Sequence, residues 1–302
     1  MMAPLSQASL QVLARLRGYV PPSTSWASMP LSRRAAVLIL LFADPHGALR
    51  VVLTMRSSTL KSYSGQAALP GGKSEEGETA FMTARREAAE EIGLPMQESK
   101  LPPPFKVEHL CELPTNLAMT ELVVRPCVAF LHSHDERTGQ DANVTETLIP
   151  KLDAKEVAAV FSAPFHNFLS SKDDPTQSNL PGKPNDWYEG QWMDWRQSPW
   201  RMHNFFVPVT NQAVILPKRT EGQKAAADHL RSLERYRVFG MTARILVDAA
   251  RLAYAKEPEF DHISHFGDED MIVRLCRIGR LGALRRDGDE LTRDDLRRAG
   301  NL

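Results

Sequence analysis

The chain has 302 residues, 42% of them hydrophobic, enough to enclose a sizeable core as one elaborated domain or as a domain with a large extension. Lysine plus arginine and aspartate plus glutamate balance at 37 each, so net charge gives no support to a broad nucleic-acid surface or an acidic disordered tail. Cys111, Cys127 and Cys276 are too far apart to suggest a disulfide framework or a close metal cluster, and fit a reducing compartment. The longest apolar run, Ala35 to Ala43, is too short to cross a bilayer as a helix.

In chain order, the first 43 residues carry Arg15, Arg17, Arg33 and Arg34 but no acidic residue. Such a start suits a targeting segment or a short amphipathic helix, Gln7 to Arg17, packed on the domain. Prolines 21, 22 and 30 place the start of the compact domain near Leu31, leaving 1–30 as an N-terminal extension. Ala35 to Phe42 and Leu49 to Thr54, joined by Asp44-Pro45-His46-Gly47, read as a β-hairpin. Ser57 to Gly72 is extended loop. Thr79 to Ile92, free of proline and glycine and stopped by Gly93, is the clearest helix.

Val107 to Leu113, Leu122 to Leu131 and Glu156 to Phe161 are strand candidates, with a polar excursion over His132 to Asp153. Ser170 to Gly190 has loop composition. Phe205 to Val209 and Ala213 to Leu216 could complete sheet structure, and Val238 to Lys256 has helical periodicity. The expected class is α/β: a domain over 31–260 with an insertion around 170–200, then a C-terminal extension over 261–302.

The chemistry concentrates between Gly72 and Leu94. Glu87, Glu90 and Glu91 stand at i, i+3 and i+4, so a helix turns all three towards one edge. Close carboxylates repel unless cations compensate, and their hard oxygens suit Mg²⁺ or Mn²⁺, which also bind phosphate. Glu78 sits where the helix field favours a negative charge, and Arg86 can pair with Glu90 and orient carboxylates. Gly71 and Gly72 allow close backbone approach, which makes the Gly72 carbonyl a plausible metal ligand. Such a site would hold a diphosphate across the metal, which lowers the pKa of an attacking water while a glutamate accepts its proton. A solvated helix pairing its glutamates with Arg85 and Arg86 is the plain alternative.

The whole pattern is more specific than its parts. Gly72, Glu78 and Arg86-Glu87-Ala88-Ala89-Glu90-Glu91-Ile92-Gly93-Leu94 resemble the Nudix hydrolase signature at every charged and glycine position, with Ala88 for the usual larger aliphatic residue. The resemblance implies an α/β/α sandwich with a mixed sheet and hydrolysis of a nucleoside diphosphate linked to another group. It also implies metal binding by Glu87, Glu90 and Glu91, and a bracing role for Glu78 and Arg86. The base varies within that family; Glu87 and Glu156 are candidates.

Upstream, Leu53-Thr54-Met55-Arg56-Ser57-Ser58, Leu60-Lys61, Gly65-Gln66 and Leu69-Pro70-Gly71-Gly72 resemble the additional motif of the coenzyme A diphosphatase branch, which includes a fungal peroxisomal form. Leu69 replaces a phenylalanine. That likeness implies coenzyme A or a derivative as the small-molecule substrate, with Arg56, Ser57, Lys61, Gly71 and Gly72 near it. Arg56 and Lys61 could donate to its phosphates. Oxidised nucleoside triphosphates, NADH and ADP-ribose are competing substrates, and a noncatalytic nucleotide-binding scaffold is a competing class.

Trp187, Trp192, Trp195 and Trp200 crowd one span and suit local packing, a ligand contact or an interface. The nine histidines form no compact metal motif and are assigned to surface or loops. The branch implies a peroxisome, yet the chain ends Ala299-Gly300-Asn301-Leu302 without an SKL-type address, leaving mitochondrion and cytoplasm open. A homodimer is left open too.

Overall fold

The computed structural model describes residues 5–56, 66–135, 138–142, 144, 157–173, 187–195, 198–209, 212, 214, 230, 232–284 and 291–301. The centre is β1 (Arg34–Ala43), apolar on both faces as a fully covered strand requires. It pairs in parallel with β7 (Val123–His132) along its length. On its other edge, its C-terminal half pairs antiparallel with β2 (Leu49–Arg56), and its N-terminal half with β4 (Gly71–Lys73). The short β3 (Ala67–Ala68) pairs with the end of β2. β5 (Lys106–Glu112) and β6 (Asn116–Leu117) join β7. β8 (His134–Asp135) and β9 (Gln140–Asp141) make a small hairpin, and β10 (Val157–Pro164) adds to β2.

The alternation of a strand divides the core in two. Leu38, Leu40 and Phe42 face one side, where α2 (Ala80–Ile92) lies with α4 (Glu269–Arg277) and α5 (Arg293–Gly300). Ile39 and Leu41 face the other side, covered by α1 (Gln7–Gly18) and α3 (Gly240–Tyr254). That layer also holds a separate antiparallel sheet of β11 (Tyr188–Trp195), β12 (Ser198–Pro208) and β13 (Arg235–Phe239). The result is an α/β sandwich around a mixed sheet. Among the described residues no helix is long and apolar enough to cross a membrane.

The stretch Ser57 to Gly72, expected as loop, contains β3 and the start of β4, which take up the free edges of β2 and β1. Three further expectations change. Val238 and Phe239 belong to β13, not to the following helix: Tyr236 and Val238 point inward with period two, and Gly240, at φ +64°, turns the chain at the first residue of α3. β12 starts at Ser198, ahead of the expected Phe205, and residues 188–190 are strand instead of loop. Ala213 and residues 215–216 lie outside the described residues.

The longer β12 explains the third change, because position 203 alternates inward with Phe205. His203 lies on a strand and is wholly buried, whereas His262 is on a loop as expected but with its side chain only 3% exposed. They form a linear series: Tyr188 Oη to His203 Nδ1 at 2.9 Å, His203 Nε2 to His262 Nδ1 at 2.8 Å, and His262 Nε2 to Asp248 Oδ1 at 2.9 Å. The carboxylate orders the protons. His262 must donate from Nε2, so its Nδ1 accepts; His203 then donates from Nε2 and accepts the Tyr188 hydroxyl proton. Trp187 is likewise buried, its indole N–H donating to the Asn167 carbonyl at 3.0 Å, as local packing requires.

Candidate active site

The helix that carries the glutamates is fixed at both ends. Thr79 caps α2 by accepting the Met82 amide proton at 3.2 Å, and Gly93 ends it at φ +71°. Ala80, Ala84 and Ala88 repeat every four residues along its buried face, and their small side chains let the helix lie close against β1 and β4. Glu87 therefore lies against Gly72 and Glu91 against Gly71, where the pairing of β1 passes from β2 to β4.

Arg86 organises that end. Its Nε donates to Glu78 Oε1 at 2.7 Å, one terminal nitrogen reaches Glu87 at 3.0 Å and Glu90 at 3.2 Å, and the other bonds the Lys73 carbonyl at 2.8 Å. The Arg86 hydrogen bond holds the Glu78 carboxyl down at about 2 against the opposing effect of burial, with the Glu75 amide and Thr83 hydroxyl assisting. The same pairing pushes the Arg86 guanidinium further up. One residue thus ties the loop after β4 to the first two turns of α2.

Glu91 takes a different direction. It accepts the Gly71 amide proton at 3.1 Å, and Arg56, at the end of β2, approaches its other oxygen at 3.8 Å. Exposure grades the three carboxylates: Glu91 is 9% exposed, Glu87 17% and Glu90 50%. Gly72 is closely packed on Glu87, since a Cβ there would meet that carboxyl at 2.5 Å.

The expected metal set of Gly72, Glu87, Glu90 and Glu91 is not drawn onto one point. Among the described residues no three His, Cys, Asp or Glu side chains are grouped to hold a metal ion. Each carboxylate is paired with a donor beside it, Glu87 and Glu90 with Arg86, and Glu91 with Arg56 and the Gly71 amide. The donor chemistry nonetheless fits a hard divalent cation. Carboxylate oxygens from adjacent turns and a glycine backbone that admits Glu87 at contact distance are what Mg²⁺ or Mn²⁺ binds.

Ser57, Lys61 and Glu156 lie outside the described residues, as do Ser58, Leu60 and Gly65 of the upstream motif. Arg56, Gly71 and Gly72 stand with the carboxylates. The sequence reading passed over Arg237 and Asn204, whose outward positions on β13 and β12 depend on strand boundaries that only the fold reveals.

A glutamate-bearing helix braced by one arginine against a glycine strand of a mixed sheet defines a Nudix-class hydrolase. The NUDIX domain family matches residues 32–213, and the chain belongs to that family. Over 289 residues it is 30% identical to the peroxisomal coenzyme A diphosphatase 1 of Saccharomyces cerevisiae, covering 91% of this chain and 84% of the yeast protein. It is 33% identical over 229 residues to the chloroplastic Nudix hydrolase 22 of Arabidopsis thaliana; that match covers 76% of this chain but 58% of the plant protein. Among solved structures, a Nudix hydrolase from M. smegmatis is similar at 21% identity and a TM-score of 0.32, over 45% of this chain and 73% of that one.

Proposed function

We propose that this Nudix hydrolase cleaves the diphosphate of coenzyme A or an acyl derivative, giving 3′,5′-ADP and the (acyl-)4′-phosphopantetheine. The observation that carries this reading is the placement of Arg56. At the end of β2, Arg56 of the upstream segment that resembles the coenzyme A branch has its guanidinium 3.8 Å from Glu91 of the glutamate signature. The 30% identity to the yeast diphosphatase across most of both chains supports the same substrate class.

In this reading Glu87, Glu90, Glu91 and the Gly72 carbonyl would hold Mg²⁺ or Mn²⁺. A divalent ion bound there neutralises diphosphate charge and acidifies the attacking water. Arg56 donates to a phosphate oxygen as a charge-assisted partner. Arg86 and Glu78 position the glutamates: their hydrogen bonds join the loop after β4 to α2, so the carboxylates keep their aim when charge is brought in. The Gly71 amide fixes Glu91 from the strand side. The relatives' names give peroxisomal, chloroplastic and mitochondrial locations, and the branch likeness favours a peroxisome for this chain.

Chromatographic assay of coenzyme A with Mg²⁺ or Mn²⁺, with NADH, ADP-ribose and an oxidised nucleoside triphosphate as comparators, tests the proposal. Metal-dependent release of 3′,5′-ADP is expected. Absence of that product from folded, metal-supplied protein would reject the substrate. Glu90→Gln should lower turnover at least about a hundredfold with little change in melting temperature; unchanged turnover removes Glu90 from the site.

A further inference from the structure

The three-stranded sheet has an outer face that the proposed reaction has not used. Glu189 and Gln191 of β11, Asn204 and Phe206 of β12 and Arg237 of β13 line a groove there, with Gly190, of about 460 Å³. That volume is within the range of small-molecule sites. Strand register explains the grouping: Glu189 stands opposite Asn204, and Phe206 opposite Arg237, while Tyr188, His203, Phe205, Tyr236 and Val238 take the inner face.

Arg237 is the group with chemistry to offer. Its Nε and one terminal nitrogen donate to Asn204 Oδ1 at 2.9 and 2.6 Å, and the guanidinium lies 4.3 Å from the Phe239 ring centroid. The Asn204 amide nitrogen is in turn committed to the Glu189 carbonyl at 3.2 Å. Among the described residues no carboxylate comes within 4.0 Å of Arg237 to form a salt bridge. Among the described residues the cation is therefore held in orientation by neutral groups and has no ion-pair partner. A guanidinium fixed in this way is pre-organised for an anion, and its planar fork suits a phosphate monoester.

The sheet that carries the groove touches the strands beside the candidate active site. β13 packs against β3, which pairs with the end of β2 that terminates in Arg56. Just beyond β13, Met241 packs beside Ala35 and Val37, the residues of β1 that pair with Gly71–Lys73.

We propose that Arg237, oriented by Asn204 and Phe239, binds a terminal phosphate monoester of the substrate, the ribose 3′-phosphate in the coenzyme A reading. This rests on the proposed function for the identity of the substrate and on the groove alone for the class of ligand. Arg237 discriminates between substrates and takes no part in bond cleavage. The exposed Glu189 carboxylate and Gln191 amide across the groove accept hydrogen bonds from hydroxyl or amino groups of the same nucleotide.

The test compares coenzyme A with dephospho-coenzyme A in the metal-supplied full chain. Wild type should favour coenzyme A in kcat/KM, and Arg237→Gln should cut that preference by about tenfold or more. Turnover of dephospho-coenzyme A should stay within about twofold. Equal loss on both substrates, or an undiminished preference, overturns the assignment. Arg237→Lys, which keeps the charge but not the fork, replaces the glutamine variant if a thermal melt shows the latter unfolded, and should give an intermediate loss. If neither substrate is cleaved, the proposed function fails first, and calorimetric binding of 3′,5′-ADP against 5′-AMP still decides the groove. A preference for 3′,5′-ADP that is lost on changing Arg237 supports the site; equal affinities, or a preference the variants keep, sink it.

Discussion

The buried Tyr188–His203–His262–Asp248 series makes the stability of this fold depend on pH in a window where few other groups act. Burial, reinforced by His262, Arg201 and Arg244, pulls the His203 imidazole from its ordinary 6.5 down to about 3. The unfolded chain therefore binds a proton near pH 6.5 that the folded chain refuses until about pH 3. Between those values the unfolded state holds more protons, so stability rises with pH and is lost as pH falls below 6.5. Each pH unit is worth about 1.4 kcal/mol for one fully linked proton, so acidification from neutral pH to 5 should cost about 2 kcal/mol through this group. Burial also lowers His109 and His265, so the wild-type slope alone is not specific. The informative quantity is the difference between wild type and His203→Gln, from urea unfolding at pH 7.5, 6.5, 5.5 and 5.0. The variant should be less stable at pH 7.5 and should lose about 2 kcal/mol less on reaching pH 5.0. Parallel slopes would refute the claim that this histidine stays neutral in the fold.

Neighbouring glycines should fail in different ways. A Cβ at Gly71 would stand 2.3 Å from the Ala36 carbonyl and 2.7 Å from Val37 Cα, backbone that cannot yield, so Gly71→Ala should cost at least about 2 kcal/mol of stability by denaturant unfolding. Gly72→Ala meets the Glu87 carboxyl, which can turn away; here turnover should fall at least about tenfold while the melting temperature holds nearly steady. Arg86→Lys keeps one charge but cannot span Glu78, Glu87 and Lys73 together, and Mg²⁺ titration of activity should move to several-fold higher concentration. Glu121→Ala should destabilise by about 3–5 kcal/mol in the same unfolding assay, because it strands the buried Arg33 guanidinium and the Leu291 amide that ties the C-terminal extension to the domain.

What the sequence revealed follows from how local each signal is. The span of α2 could be read because its cap, its alanine repeat, its glutamates and its terminal glycine all lie within one short stretch, and β1 because a buried central strand is continuously apolar. The direction of each glutamate could not be read, since it depends on which cation or amide the tertiary fold brings up: Arg86 from the same helix, but Arg56 and the Gly71 amide from strands earlier in the chain. The end of β13 reads as part of α3 because Val238, Met241 and Ile245 fit a helical period, while Tyr236 and Val238 alternate as a strand does.

The same reasoning explains why the second sheet was hidden while the glutamate helix was plain. Its three strands, drawn from positions 188 to 239, each place only a few polar residues on the outer face, among them Glu189, Asn204 and Arg237. No window of sequence contains that face. Its inner face is equally divided, and Tyr188 and His203 meet each other and His262, from the loop after α3, only through folding. The chemistry of bond cleavage can be written in one contiguous motif because a single helix supplies most of it. Recognition of the rest of a substrate has to be spread over separate strands, since the parts of the substrate lie farther apart than one helical turn can reach. Residues that choose among substrates are therefore to be sought on such composite faces, and Arg237 is the charged group this one offers to an anion.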